Sequence, residues 1–141
     1  MGLIHGTCVE VGGTGVLLRG PPGSGKSDLA LRLIDRGARL VADDQVDLAA
    51  GPGGLRARAP AALAGLLEVR GLGIATLPAA AGIPLRLVVD LVAEAAAIER
   101  LPEARSVTLE GVRLGHLVVW PFAASAAAKV RLAARQCGAG S

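Results

Sequence analysis

The sequence predicts an α/β fold, a single domain over residues 1–141 built on a mixed β-sheet with one strand–loop–helix unit near its start. Three observations predict it. The apolar run Val16-Leu17-Leu18, a glycine-rich loop and an amphipathic segment follow one another directly. Many short apolar runs punctuated by turn residues follow, instead of a regular alternation of strand and helix. The chain, with 52% hydrophobic and 19% charged residues, suits one aliphatic core that needs neither disulfide nor metal to close.

Residues 3–10 and 14–19 read as strands joined by a turn at Gly12-Gly13-Thr14-Gly15. After the loop Gly20-Pro21-Pro22-Gly23-Ser24-Gly25-Lys26-Ser27 a helix runs to about Arg36, with Leu29, Ala30, Leu33 and Ile34 on one face and Gly37 as its stop. Leu40-Val41-Ala42 is a short buried strand ending in Asp43-Asp44. Residues 45–58 form a hairpin around Gly51-Pro52-Gly53-Gly54. Leu66–Arg70 and Ile74–Leu77 flank Gly71-Leu72-Gly73, and Leu85–Val92 is a long strand. Residues 94–106 read as a loop or short helix around Pro102. Val107–Leu109 and Val112–Leu114 pair through Glu110-Gly111, Leu117–Trp120 is a last strand, Ala123–Gln136 is a helix, and Gly138–Ser141 a tail.

Composition narrows the function. With 1% aromatic residues the chain has no ring platform on which single-stranded bases could stack. A net charge of +3 with no basic block does not indicate a nucleic-acid binder. Arg86, Asp90 and Glu94 interrupt the best apolar stretch, so no membrane span is expected. The N-terminus lacks a basic region followed by an apolar run, and Cys8 and Cys137 make neither a framework nor a metal spacing. Together these indicate a cytoplasmic protein.

The loop from Gly20 to Ser27 matches G-x-x-x-x-G-K-[ST] in full, between an apolar strand and an amphipathic helix. Glycines let successive backbone N–H groups turn toward phosphate oxygens, and the helix N-terminus adds its positive dipole end. Lys26 would sit over the β- and γ-phosphates, and the Ser27 hydroxyl would ligate Mg²⁺. The motif indicates binding of a nucleoside triphosphate and leaves its use open. Asp43 and Asp44 follow at the carboxyl end of the next strand, where ligands bind in open α/β sheets. Neighbouring strand residues point to opposite faces, so one carboxylate would take a proton from an attacking hydroxyl and the other hold Mg²⁺ or an orienting hydrogen bond. The chain contains no Asn, which a GTPase needs to read guanine.

By these residues the chain resembles the catalytic domain of HPr kinase/phosphorylase. Ile4-His5-Gly6, Gly15-Val16-Leu17-Leu18, the phosphate loop and Arg36-Gly37-Ala38-Arg39-Leu40-Val41-Ala42-Asp43-Asp44 follow that family's pattern, and Leu67-Glu68-Val69-Arg70-Gly71-Leu72-Gly73-Ile74 matches its signature segment. The resemblance covers residues 4–77 strongly and thins toward residue 122. It implies a P-loop kinase domain of the HPr kinase and PEP carboxykinase type. It further implies an ATP-dependent, Mg²⁺-dependent serine kinase acting on the phosphocarrier protein HPr of the phosphotransferase system, assembled as a homo-oligomer.

The resemblance makes Asp44 the proton acceptor, Ser27 and Glu68 the Mg²⁺ ligands, and His5, Lys26 and Arg100 active-site residues; Asp43 is then the carboxylate of the pair left to join the Mg²⁺ site. By themselves His5 reads as a structural histidine, Glu68 and Arg70 as an ion pair on one strand face, and Arg100 as a surface residue. The family's additional N-terminal domain is not expected in this short form. Its Arg-Pro-Gly-Arg-Asn-like loop is replaced by Trp120-Pro121-Phe122-Ala123-Ala124-Ser125, so the kinase direction is better supported than the reverse phosphorolysis. Two alternatives remain: a P-loop kinase for another protein or small-molecule acceptor, and a non-catalytic ATP-sensing module. Trp120 and Phe122 fill the core beside the last helix or form an apolar contact. Lys129, Arg131 and Arg135 form a solvated helix face or meet an acidic partner.

Overall fold

The computed structural model describes residues 2–99 and 105–139. In chain order the strands are β1 (Gly2–His5), β2 (Thr7–Val11), β3 (Thr14–Arg19), β4 (Arg39–Ala42), β5 (Gln45–Gly51), β6 (Gly54–Arg58), β7 (Leu66–Val69), β8 (Gly73–Thr76), β9 (Ile83–Leu91), β10 (Arg105–Leu109) and β11 (Val112–Val119). Helix α1 (Lys26–Asp35) follows β3, and α2 (Ala126–Ala139) follows β11.

One sheet runs β1-β5-β6-β9-β3-β2-β4, with β11 also on β9 and β10 on β11; β7 and β8 form a separate hairpin. The β3–β9 and β9–β11 pairs are parallel and the other ladders antiparallel, which is the mixed sheet expected. Alternation along β3 divides the interior. Val16 and Leu18 face Leu29, Ala30 and Leu33 of α1 and Val130 and Ala134 of α2. Leu17 faces the other way, toward Val41, Val46, Leu48, Leu55 and Val88. Both helices therefore cover one face, and the sheet's own strands β5 and β6 cover the other. The parallel strands β3, β9 and β11 all end at the side where the phosphate loop begins.

Four elements differ from the sequence reading. The strand expected over 3–10 breaks at Gly6, which leaves the ladder and donates its N–H to Asp44 O at 3.1 Å. β1 pairs with β5, while β2 pairs with β3 and β4. β4 stops at Ala42, so Asp43 and Asp44 lie in a bend and diverge through turn geometry, not strand pleat. β11 is continuous where two strands were expected. A Cβ on Gly115 would come within 2.8 Å of Cys137 Sγ, so that glycine admits α2 instead of ending the strand. Finally, turns from Ala123 N–H to Trp120 O and from Ala126 N–H to Ala123 O, both 3.1 Å, delay the last helix to Ala126, and it continues through Gly138.

Candidate active site

The phosphate loop is closed on itself. Ser24 N–H donates to Pro21 O at 3.0 Å, and Lys26 Nζ donates to Gly20 O at 2.7 Å and Pro21 O at 3.1 Å. Gly20 is required by contact: a Cβ there would lie 2.5 Å from Ser24 Oγ. That hydroxyl is buried and has no hydrogen-bond partner, a polar atom aimed into the loop. α1 starts after Gly25 with no side-chain cap, so its first N–H groups are left for an anion. Arg32, ion-paired to Asp28 at 3.2 Å, also donates to Pro121 O and ties the helix to the Trp120–Phe122 segment.

Behind the loop, Asp43 is 9% exposed and accepts three hydrogen bonds. Thr7 Oγ1 donates to Oδ1 at 2.8 Å, Ser27 Oγ to Oδ1 at 3.0 Å, and the Glu68 backbone N–H to Oδ2 at 3.1 Å. One buried carboxylate thus joins β2, the first turn of α1 and β7. Asp44 turns the other way. Its φ of 70° is left-handed, a region that Asp enters more readily than most side chains. The Asp44 side chain is 70% exposed, and Asp44 Oδ1 lies 3.7 Å from Nδ1 of the 82% exposed His5.

A cavity of about 520 Å³ opens in front of the loop. Gly23, Gly25, Lys26, Ser27, Glu68 and Arg70 line it, together with Leu31 and Phe122. Leu67 and Val69 are buried in the core, and strand alternation directs Glu68 and Arg70 outward. Glu68 and Arg70 make no ion pair with each other. Asp43 stands behind Ser27 instead of on the cavity wall, and Asp44 and His5 do not line the cavity. Arg100 lies outside the described residues. Phe122 is neither core nor remote: it is 62% exposed on the cavity rim, edge to face with half-buried Trp120 at 6.0 Å.

The sequence reading missed a second polar cluster at the same end of the sheet. Arg19, the residue before the loop, donates from Nε and Nη2 to Asp90, both at 2.9 Å, and His116 Nε2 is 2.7 Å from Asp90 Oδ2. Partial burial raises the Asp90 pKa, but the bonds from Arg19 and His116 outweigh it and hold the carboxyl below its ordinary value. The β3–β9 register pairs Arg19 with Asp90, and nothing local signals a partner 71 residues away.

Residues 2–106 match the HPr Serine kinase C-terminal domain family. The chain belongs to that family. An HPr kinase/phosphorylase of Clostridium novyi is 51% identical over 80 residues, which cover 57% of this chain and 26% of that protein. One from Burkholderia lata is 40% identical over 126 residues, covering 82% of this chain and 39% of that protein. The chain thus spans from about a quarter to two-fifths of the length of the curated relatives it matches. The solved Hpr(Ser) kinase/phosphatase of Coxiella burnetii superposes with a TM-score of 0.86 at 23% identity, over 99% of this chain and 98% of that one. That similarity establishes the mixed α/β fold. Among the described residues no helix is long and apolar enough to cross a membrane.

Proposed function

We propose that the chain is an ATP-dependent serine kinase for an HPr-type phosphocarrier protein, acting in the cytoplasm, where the free thiols of Cys8 and Cys137 fit a reducing environment. The observation that carries this reading is the division between Asp43 and Asp44. The buried carboxylate holds Ser27 of a complete phosphate loop, and the next residue presents an exposed carboxylate beside His5. Family membership and the names of the relatives support the same reading.

Mg²⁺ fits the donors present: the Ser27 hydroxyl and the Glu68 carboxylate line one cavity, with Asp43 behind Ser27, and all are hard oxygen ligands. When bound, the ion neutralises charge on the triphosphate. Ser27 and Glu68 would hold it, with Asp43 orienting Ser27. Lys26 exchanges its loop carbonyls for phosphate oxygens, and the loop N–H groups fix the triphosphate. The acceptor serine attacks the γ-phosphorus in line as its O–H proton passes to Asp44, and ADP leaves with the bond to the γ-phosphoryl group. His5 positions Asp44. The exposure of Asp44 and His5 suits an acceptor presented by another macromolecule. So do Leu72 and Ile74, 85% and 72% exposed at the tip of the hairpin that carries Glu68 and Arg70. No basic residue stands between Trp120 and Ser125, and Arg32 is engaged by Pro121 O and Asp28, so transfer to protein should outrun its reversal by phosphate.

Incubation with γ-labelled ATP, Mg²⁺ and purified HPr tests this reading. Label on a serine of HPr, lost in Lys26→Ala, is expected, with slower release of label from phospho-HPr by inorganic phosphate. ADP formation with no label on HPr would refute the acceptor, and tight ATP binding without turnover would refute the kinase.

A further inference from the structure

Phe122 is the one ring in the wall of the cavity in front of the phosphate loop. A single exposed apolar side chain needs no explanation by itself, but this one is held from three directions. Pro121, buried, fixes the backbone before it, and Pro121 O accepts a hydrogen bond from Arg32 of α1. Ala123 N–H donates to Trp120 O at 3.1 Å and closes a turn around the pair. Half-buried Trp120 meets the ring edge to face, with centroids 6.0 Å apart and planes at 76°. That contact takes up at most one face of Phe122, and the residue is still 62% exposed.

The ring also stands close to the loop. A Cβ built on Gly25, the last loop residue before α1, would lie 3.8 Å from Phe122 Cε1. From there the cavity continues along the first turns of α1, past Asp28 to Leu31, which are neighbours on one side of the helix. Asp28 is engaged by Arg32 at 3.2 Å. Leu31 and Phe122 thus make an apolar corner beside the polar and charged side chains of Lys26, Ser27, Glu68 and Arg70. The polar side suits phosphates and a cation; the apolar corner offers them nothing and calls for an uncharged group on the same ligand. At about 520 Å³ the cavity lies within the range of sites that take a whole small molecule.

We propose that Phe122, with Leu31, seats the base of the nucleotide whose phosphates the loop binds, so that this ring separates a nucleoside triphosphate from bare polyphosphate. The inference rests on the loop's proposed role as a triphosphate site. One ring is too few for a strand of bases but enough for a single base. A π-face stacks on a base without reading its hydrogen-bonding edges, so Phe122 adds affinity for the base and leaves its identity to other groups. The bond from Arg32 to Pro121 O matters here, because a ring fixed in advance loses little freedom when the ligand arrives.

Titration calorimetry of the full chain with ATP and with tripolyphosphate, both with Mg²⁺, tests the proposal. The fluorescence of Trp120, the chain's single tryptophan, gives a second readout. ATP should bind about fivefold or more tightly than tripolyphosphate, and only ATP should alter the Trp120 emission strongly. Phe122→Ala should weaken ATP about 5- to 30-fold, leave tripolyphosphate within about twofold and keep the circular dichroism spectrum. Phe122→Tyr should restore most of the ATP affinity, and Phe122→Leu should not. Lys26→Ala should weaken both ligands, so a failure of the phosphate loop shows in that variant and a failure of the base seat in Phe122→Ala. Equal weakening of both ligands by Phe122→Ala, or no weakening of ATP, overturns the proposal. Unchanged ATP affinity with a raised KM for HPr also overturns it, assigning the ring to the acceptor and leaving the kinase reading intact. Binding of neither ligand to the parent chain overturns both readings.

Discussion

Asp43 and Asp44 are adjacent, chemically identical and differently used. Asp43 is buried with three donors on its two oxygens; Asp44 is in solvent with one distant histidine. A buried carboxylate that accepts from three donors is held in place. An exposed one, projected by a left-handed backbone, is available to an incoming hydroxyl but contributes little to holding the fold. In the proposed function, structural and chemical work are separated by one peptide bond, and each should be removable without the other.

Removing the chemical half should give the largest effect. Asn tolerates the left-handed conformation that Asp44 adopts and keeps its shape, but it cannot accept the proton. Asp44→Asn should lower kcat for HPr phosphorylation by about 10²–10⁴-fold, with nucleotide affinity within about twofold and stability within about 0.5 kcal/mol. Steady-state kinetics and denaturant unfolding on one preparation check this. A fall in stability with little change in rate would reverse the assignments of the two residues.

Removing the structural half should give the converse. Asp43→Asn replaces an acceptor oxygen with an NH₂ that faces at least one donor among Thr7, Ser27 and the Glu68 N–H. The cost should be about 2–4 kcal/mol of unfolding free energy, read from the urea midpoint at constant slope. Thr7→Val, which removes one donor and leaves the carboxylate two partners, should cost less, about 1–2 kcal/mol. Equal stability of all three proteins would show that the buried cluster does not hold the fold.

Why the division was only half visible in the sequence is a matter of range. The phosphate loop is local: its conformation follows from eight consecutive residues and the strand and helix beside them, and the loop forms as read. The Asp pair was legible as acidic and near the loop. Its division was credited to strand pleat, but β4 ends one residue earlier and the bend does the work. Nothing local pairs Asp43 with Thr7, 36 residues back, or with the Glu68 N–H, 25 residues on. Gly115 looked like a strand end because the cause of its small size, Cys137, arrives from the last helix. Phe122 reaches the cavity rim only because turns at Trp120 and Ala123 delay α2 and Arg32 pins Pro121.

Asp90 lies between the two extremes, with 35% of its side chain exposed and Arg19 and His116 as partners. Its pKa is held below the ordinary 3.8, so the stability it contributes is present above that value and is lost as pH falls through the native one. Discounted for solvent screening, Asp90→Asn should cost about 1 kcal/mol at pH 7. The gap between variant and parent should narrow below about pH 4 as the parent's own carboxyl is protonated. Thermal midpoints of both proteins from pH 7 to pH 2 measure it. A gap that widens toward acid would mean that the pairing with Arg19 does not stabilise the folded carboxylate.

The smallest effect belongs to His5, and it decides whether Asp44 acts alone. A pair 3.7 Å apart with both side chains mostly in solvent is worth about 0.2–1 kcal/mol, so His5→Ala should leave the urea midpoint almost unmoved. If that interaction is made in the transition state, the same energy lowers kcat by about 1.4- to 5-fold. The single variant cannot say through which residue it acts, but a cycle with Asp44→Asn can. If His5 works by positioning Asp44, its loss has nothing left to misplace in the Asn background, and the double variant should match Asp44→Asn alone. A full, independent penalty from His5→Ala in that background would mean that the histidine meets the acceptor or the phosphoryl group directly, and the exposed half of the site would then hold two chemical groups.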